Sequence, residues 1–387
     1  MKFSDHPLFL VGFRPFFALA CVAGAILPLL WVLIFTGAVS PAPTFSIPAT
    51  QWHAHEMFYG FGWAVLGGFL LTSTKNWVGI RGYHGSTLVF LAATWLLDRV
   101  GMAFGASWPQ PLFWLSSALF PVTIIGLLLA TLIRNRSTDS YRDNLYFILA
   151  LPLFIPAKFL LLSMDDFGTG WSMSLALFRL AFLLMLERTL TQFMKGVFQL
   201  TLPRIPALDH AIKSLALLLV FAPSLPAGLT TAATQLLALL LFGRWLSWRP
   251  DIALRRIDVG IMFLGYLAIV AQLLIDVLGR THGYTWVGTV SVHVFTVGAM
   301  GLIVPAMLIR IAKGHTGRKV VFDTLDKAVL WLMLGGFILR IAAPQVLPVL
   351  YATWMLAAAS CWLLCFGLLG WRIIPWLLQK RIDGKDH

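Results

Sequence analysis

Histidine and glutamate are costly in hydrocarbon and are kept there only with partners. The sequence nevertheless places Trp52-His53-Ala54-His55-Glu56-Met57 at the mouth of one apolar run and His315-Thr316-Gly317-Arg318 at the end of another. His293 lies inside the run that leads to His315. Imidazole suits both iron and copper, and a neighbouring carboxylate can ligate a metal or orient its ligand. The chemistry these residues point to is a metal or redox site inside a membrane protein.

Helical geometry limits what they can share. His53 and His55 stand two residues apart, about 200° around a helix. On a regular helix they cannot bind one metal, and only a helix that began at His55 would let both rings converge. His53 shares a face with Glu56, and His55 shares one with Tyr59 and Gly62. His293 is followed by Gly298 and Gly301, which let another helix or a flat macrocycle approach the backbone. Haem iron accepts axial imidazoles, and guanidinium pairs bidentately with carboxylates such as haem propionates. The expectation is therefore that His55 and His293 are axial haem ligands, with Arg99 and Arg340 facing the propionates. His53 is left for copper or for Glu56. A hydrogen-bonding core histidine is the plainer alternative for His293. For His315 the alternatives are metal binding and a loop held by hydrogen bonds at the membrane surface.

The elements that must position these groups follow from composition. Hydrophobic residues make up 59% of the 387-residue chain and charged residues only 12%. That excludes an ordinary soluble domain and fits an all-α polytopic membrane protein. A spanning helix needs about 20 apolar residues. Twelve such segments are expected near 15–37, 53–74, 85–105, 112–133, 144–164, 171–192, 211–228, 230–247, 257–278, 286–311, 324–343 and 349–372, as one helical domain over 1–387. The seventh and eighth are short and separated only by Pro223-Ser224-Leu225-Pro226, so one broken hairpin is the alternative. The first apolar run is too long for most signal peptides and is expected to stay as a span. Cys21, Cys361 and Cys365 lack metal-type spacing and are expected to pack in the core.

The net charge of +13 does not mark a nucleic-acid partner. With twelve spans, 23 of the 29 Lys and Arg residues fall on one side, from Lys2 and Arg14 to Arg381 and Lys385. Arg280 alone is assigned to the other. Such a bias is the positive-inside rule, and it places both termini in the cytoplasm. The same topology puts His53, His55, Glu56, Asp98, Arg99, Lys158, Asp276, His293 and Arg340 in the outer half of the membrane. Structural ion pairs such as Asp98 with Arg340 or Glu56 with Arg99 would account for individual charges. The collection as a whole points to a functional cavity.

The motifs together resemble the NnrS family of bacterial membrane proteins. The resemblance rests on Gly12-Phe13-Arg14-Pro15-Phe16-Phe17, Trp52-His53-Ala54-His55-Glu56-Met57, Gly68-Phe69-Leu70-Leu71-Thr72 and Asn76-Trp77-Val78-Gly79. It continues through Glu187-Arg188-Thr189-Leu190, the run from His293 to Gly301, and Gly314-His315-Thr316-Gly317-Arg318. The family implies a twelve-span protein of the bacterial inner membrane that contains haem, here taken as b-type, and copper. It also implies a link to the nitric oxide response, with nitric oxide or a related small molecule and an electron donor as partners. His53, His55, His293, His315 and Glu56 are then the candidate metal residues. Ile303-Val304-Pro305 departs from the pattern, and Pro305 is expected to kink its helix.

Two other functions fit parts of the sequence. A nitric oxide reductase built like the haem–copper oxidases would carry histidines on helices 2 and 10, as here. It would also need a histidine triad on helices 6 and 7, where this chain has only His210 at an edge. A transporter or channel would use the proline-broken helices and the polar outer cavity, but no internal symmetry is visible.

Overall fold

The computed structural model describes residues 3–40 and 47–384. Lys2 and Lys385, counted above on the basic side, lie outside them. Among the described residues every regular element is helical. Twelve helices among the described residues are long and apolar enough to cross a membrane. They are α1 Phe13–Phe35, α2 Ala49–Val78, α3 Ser86–Ser107, α4 Gln110–Arg134, α5 Arg142–Leu162 and α6 Phe167–Phe198. The remaining six are α7 Pro206–Ser224, α8 Ala227–Ser247, α9 Ile257–His282, α10 Val290–His315, α11 Thr324–Val346 and α12 Pro348–Leu377. The expected all-α polytopic architecture is present.

The boundaries follow local chemistry. Pro223 and Pro226 separate α7 from α8, because proline removes an amide donor and disfavours helix in the residue before it. Leu225, which precedes Pro226, is extended at φ −92° and ψ 152°. The two weakest segments are therefore distinct helices. α2 starts at Ala49, well before His55, so both histidines sit on one regular helical stretch and their rings diverge.

The chain divides into two compact units. The first comprises Met1–Trp171, Leu308–Val320 and Phe366–His387, and the second Ser172–Met307 and Val321–Cys365. In the first unit, small residues bring helices close. A Cβ added at Gly68 would stand 2.9 Å from Phe16 of α1, and one at Gly67 would stand 2.7 Å from Ile124 of α4. Arg14 is fully buried as the second residue of α1, and its guanidinium donates to the carbonyls of Leu377 (2.7 Å) and Gln379 (2.6 Å) at the end of α12. Those carbonyls have no intrahelical donor left, so the arginine caps them. In the second unit, Gly265 of α9 receives Ile303 of α10, and Trp245 of α8 donates to the Phe263 carbonyl of α9 at 3.0 Å.

Two helices are irregular at mid-length. α2 is α-helical over Ala49–His55, π-helical over Glu56–Gly62 and α-helical again over Trp63–Val78. α10 repeats this order, with Val290–His293, a π-helical Val294–Met300 and an α-helical Gly301–His315. The helix continues through Pro305, so the distortion expected there is found upstream, in the turn after His293.

Candidate functional site

His55 is fully buried in the first unit, at the last residue before the π-helical segment. Its Nδ1 lies 3.1 Å from Glu56 Oε1. The other oxygen of Glu56 accepts from Arg99 at 3.1 Å. A carboxylate held by a guanidinium accepts hydrogen bonds, so the ring proton resides on Nδ1 and the lone pair on Nε2. Nε2 is buried and has no hydrogen-bond partner among the described residues. The Tyr59 ring stacks on the imidazole at 5.6 Å and 21°, and its hydroxyl donates to the Phe154 carbonyl of α5. The imidazole is thus fixed in both tautomer and orientation.

The network behind it joins α2, α3, α4 and α5. Arg99 of α3 also donates to Asp98 at 2.5 Å, and Lys158 of α5 donates to Asp98 at 2.7 Å and to the Ser117 carbonyl at 2.6 Å. Two carboxylates and two cations balance, which is how buried charge is tolerated in hydrocarbon. Gly60 makes room for this, since a Cβ there would fall on the Arg99 guanidinium. Trp95 lies under Arg99, 5.3 Å from it, and donates to the Gly60 carbonyl.

The expected Glu56–Arg99 pair is present. The alternative pairing of Asp98 with Arg340 is replaced by Asp98 with Arg99 and Lys158. Glu56, expected to share a face with His53, instead binds His55, because the next residue along can turn its carboxylate back onto Nδ1. His53 stacks flat on Trp31 of α1, with centroids 4.5 Å apart and planes at 8°.

In the second unit His293 immediately precedes the π-helical segment of α10 and is partly exposed. Its Nδ1 lies 2.8 Å from the Thr289 carbonyl, 2.9 Å from the Thr289 hydroxyl and 3.2 Å from the Arg340 guanidinium. These contacts compete: a carbonyl requires a proton on Nδ1 and a guanidinium requires a lone pair. The carbonyl contact is the shorter, so it sets the tautomer and leaves Arg340 as a close cation. Arg340 also stacks near Tyr351 of α12. Beside His293 runs a chain that the histidines and charges alone did not reveal. Arg179 donates to Gln272 at 3.0 Å, Gln272 donates to Asp276 at 2.5 Å, and Ser291 donates to Asp276 at 2.5 Å. The signal for it was Gln272 set four residues before Asp276 in an otherwise apolar helix. Gly298 and Gly301 do bring close neighbours. A Cβ at Gly298 would stand 2.7 Å from Phe337 and one at Gly301 would stand 3.0 Å from Trp362, so helices fill the space.

His315 belongs to the first unit. Its ring lies 5.3 Å from that of Phe13, and its carbonyl accepts from Arg381. Arg318 covers the Trp376 ring at 4.7 Å. His315 is the last residue of α10, and these are packing and backbone contacts. Glu187 of the Glu187-Arg188-Thr189-Leu190 motif lies well inside α6. It accepts from Lys213 at 2.9 Å and from Arg244 at 3.4 Å, and Arg244 also donates to Asp209 and Tyr266. Among the described residues, no three histidines, cysteines or carboxylates gather closely enough to hold a metal ion between them.

A family model described as NnrS protein matches residues 7–381. The chain belongs to the NnrS family. No curated protein matches it. The NnrS match runs through both units and includes His55, His293 and His315. With its twelve apolar helices, this NnrS chain is a multi-pass membrane protein.

Proposed function

We propose that this NnrS protein carries b-type haem in the bacterial inner membrane and acts in the response to nitric oxide, with His55 as a haem ligand. The observation that carries the reading is the His55 imidazole. Its Nε2 is buried without a partner while Nδ1 is bound to Glu56. A histidine that ligates a metal through one nitrogen almost always donates through the other to a carboxylate or carbonyl. A bound haem would supply an iron able to take up nitric oxide or an electron.

The protein's own residues do the rest. Glu56 keeps the ring proton on Nδ1 and makes Nε2 more basic. Arg99 holds Glu56 in place, and Tyr59 fixes the ring plane. The apolar helices exclude water and admit a small apolar molecule from the lipid. Arg99 and, in the second unit, Arg340 are the guanidiniums suited to propionates. Copper rests on the family resemblance alone. The donors described do not form a set for it, so no ligands are assigned and no step is drawn through it. An electron donor is part of the same proposal.

The biological reading is tested by growth under nitric oxide. A strain lacking the protein should recover slowly after exposure, wild-type protein should restore recovery, and His55→Ala should not. Equal recovery of all three strains would refute a role in the nitric oxide response.

A further inference from the structure

The environments of His55 and His293 share a construction. Each histidine directly precedes a seven-residue π-helical segment inside a spanning helix. Each segment closes in the same register: Trp63 N–H reaches the Phe58 carbonyl and Gly301 N–H reaches the Thr296 carbonyl, both i+5 contacts eight residues beyond the histidine. A glycine stands five residues after each histidine, Gly60 and Gly298, and each admits a neighbouring helix's side chain, Arg99 or Phe337. Each Nδ1 has an acceptor, Glu56 or the Thr289 carbonyl. An arginine from another helix of the same unit completes each set, Arg99 on Glu56 and Arg340 on His293.

π-helix makes up less than about 1% of residues in folded proteins and collects at functional sites. Among the described residues it occurs only in these two segments. The extra residue in a π turn displaces the histidine's turn from the regular helical path. It also leaves carbonyls that the α pattern would have used. The same rare device set at both histidines argues that both are sites.

We infer that each unit holds its own haem through its own histidine, His55 in the first and His293 in the second. The two histidines are then not the paired axial ligands of a single iron. This rests on the haem reading above and changes the expectation drawn from the sequence. In each site Nδ1 is the anchored nitrogen; Arg99 holds the anchoring carboxylate in the first, and Arg340 lies beside His293 in the second.

Titration of the full-length protein in detergent with haem, read by absorbance and by haem extracted per chain, tests it. Unmutated protein should take up two equivalents. His55→Ala and His293→Ala should each take up one, and the double variant none. Uptake of one equivalent by unmutated protein, abolished by either single change, would mean a shared iron and would overturn the inference while keeping haem. No uptake at all would overturn both this inference and the haem reading. Should an alanine variant fail to remain monodisperse, the stoichiometry of the unmutated protein still decides. His→Met changes, which shift rather than remove a ligand's absorbance, then assign each equivalent to its histidine.

Discussion

At the scale of single residues, Glu56 is the hinge of the first site, because one oxygen fixes the tautomer of His55 and the other holds Arg99. Glu56→Gln keeps the shape but weakens the acceptor. Loss of a carboxylate behind a ligating histidine typically lowers affinity about 10–100-fold, and haem titration should show a drop in that range. Gly60 can be tested through stability. Gly60→Ala would push the Arg99 guanidinium away from Glu56 while its bond to Asp98 remains, an overpacking cost of about 1–3 kcal/mol. Gly126→Ala adds a Cβ into open space in α4 and should change stability by less than about 1 kcal/mol. Thermal unfolding in detergent compares the two directly. Equal melting temperatures would show that Gly60 is not needed for the guanidinium.

At the scale of helices, π-helical segments and small residues decide which groups meet. Gly298→Ala would press a methyl group to 2.7 Å from Phe337 and 2.9 Å from Ala268. Overpacking of that kind costs about 1–3 kcal/mol. Gly335→Ala, with nothing near its added Cβ in α11, should be neutral or stabilising by about 0.5–1 kcal/mol. Circular dichroism melts of the two variants check the contrast. The spans themselves were legible because apolar length is a one-dimensional property, and Pro223 and Pro226 marked the break between α7 and α8. The Glu56–Arg99 pair was legible from shared depth. The π turns were not, since a one-residue insertion leaves no mark in hydropathy. It moves every side chain before it by about 100° relative to those after it, so facing rules that assume 3.6 residues per turn fail there. Lys213 and Arg244 fall among the basic residues assigned to one side of the membrane, and depth alone does not reveal that Glu187 and Asp209 turn toward them.

At the scale of the molecule, each unit buries a balanced quartet of two carboxylates, a lysine and an arginine. These are Glu56, Asp98, Arg99 and Lys158 in the first unit, and Glu187, Asp209, Lys213 and Arg244 in the second. Neutral clusters let a chain with so few charges keep these groups inside. The basic residues left over are sorted by the membrane. The positive-inside rule predicts a fluorescent C-terminal GFP fusion and an inactive C-terminal alkaline phosphatase fusion. The opposite pair of results would invert the topology. The central claim is that His55 is a haem ligand and His53, stacked on Trp31, is not. The most direct test is the optical spectrum of purified protein, oxidised and reduced, in wild type, His55→Ala and His53→Ala. The account predicts a haem spectrum in the wild type, the same spectrum in His53→Ala, and a loss of the His55 share of the haem absorbance, with the His293 share retained, in His55→Ala. An unchanged spectrum in His55→Ala would contradict it.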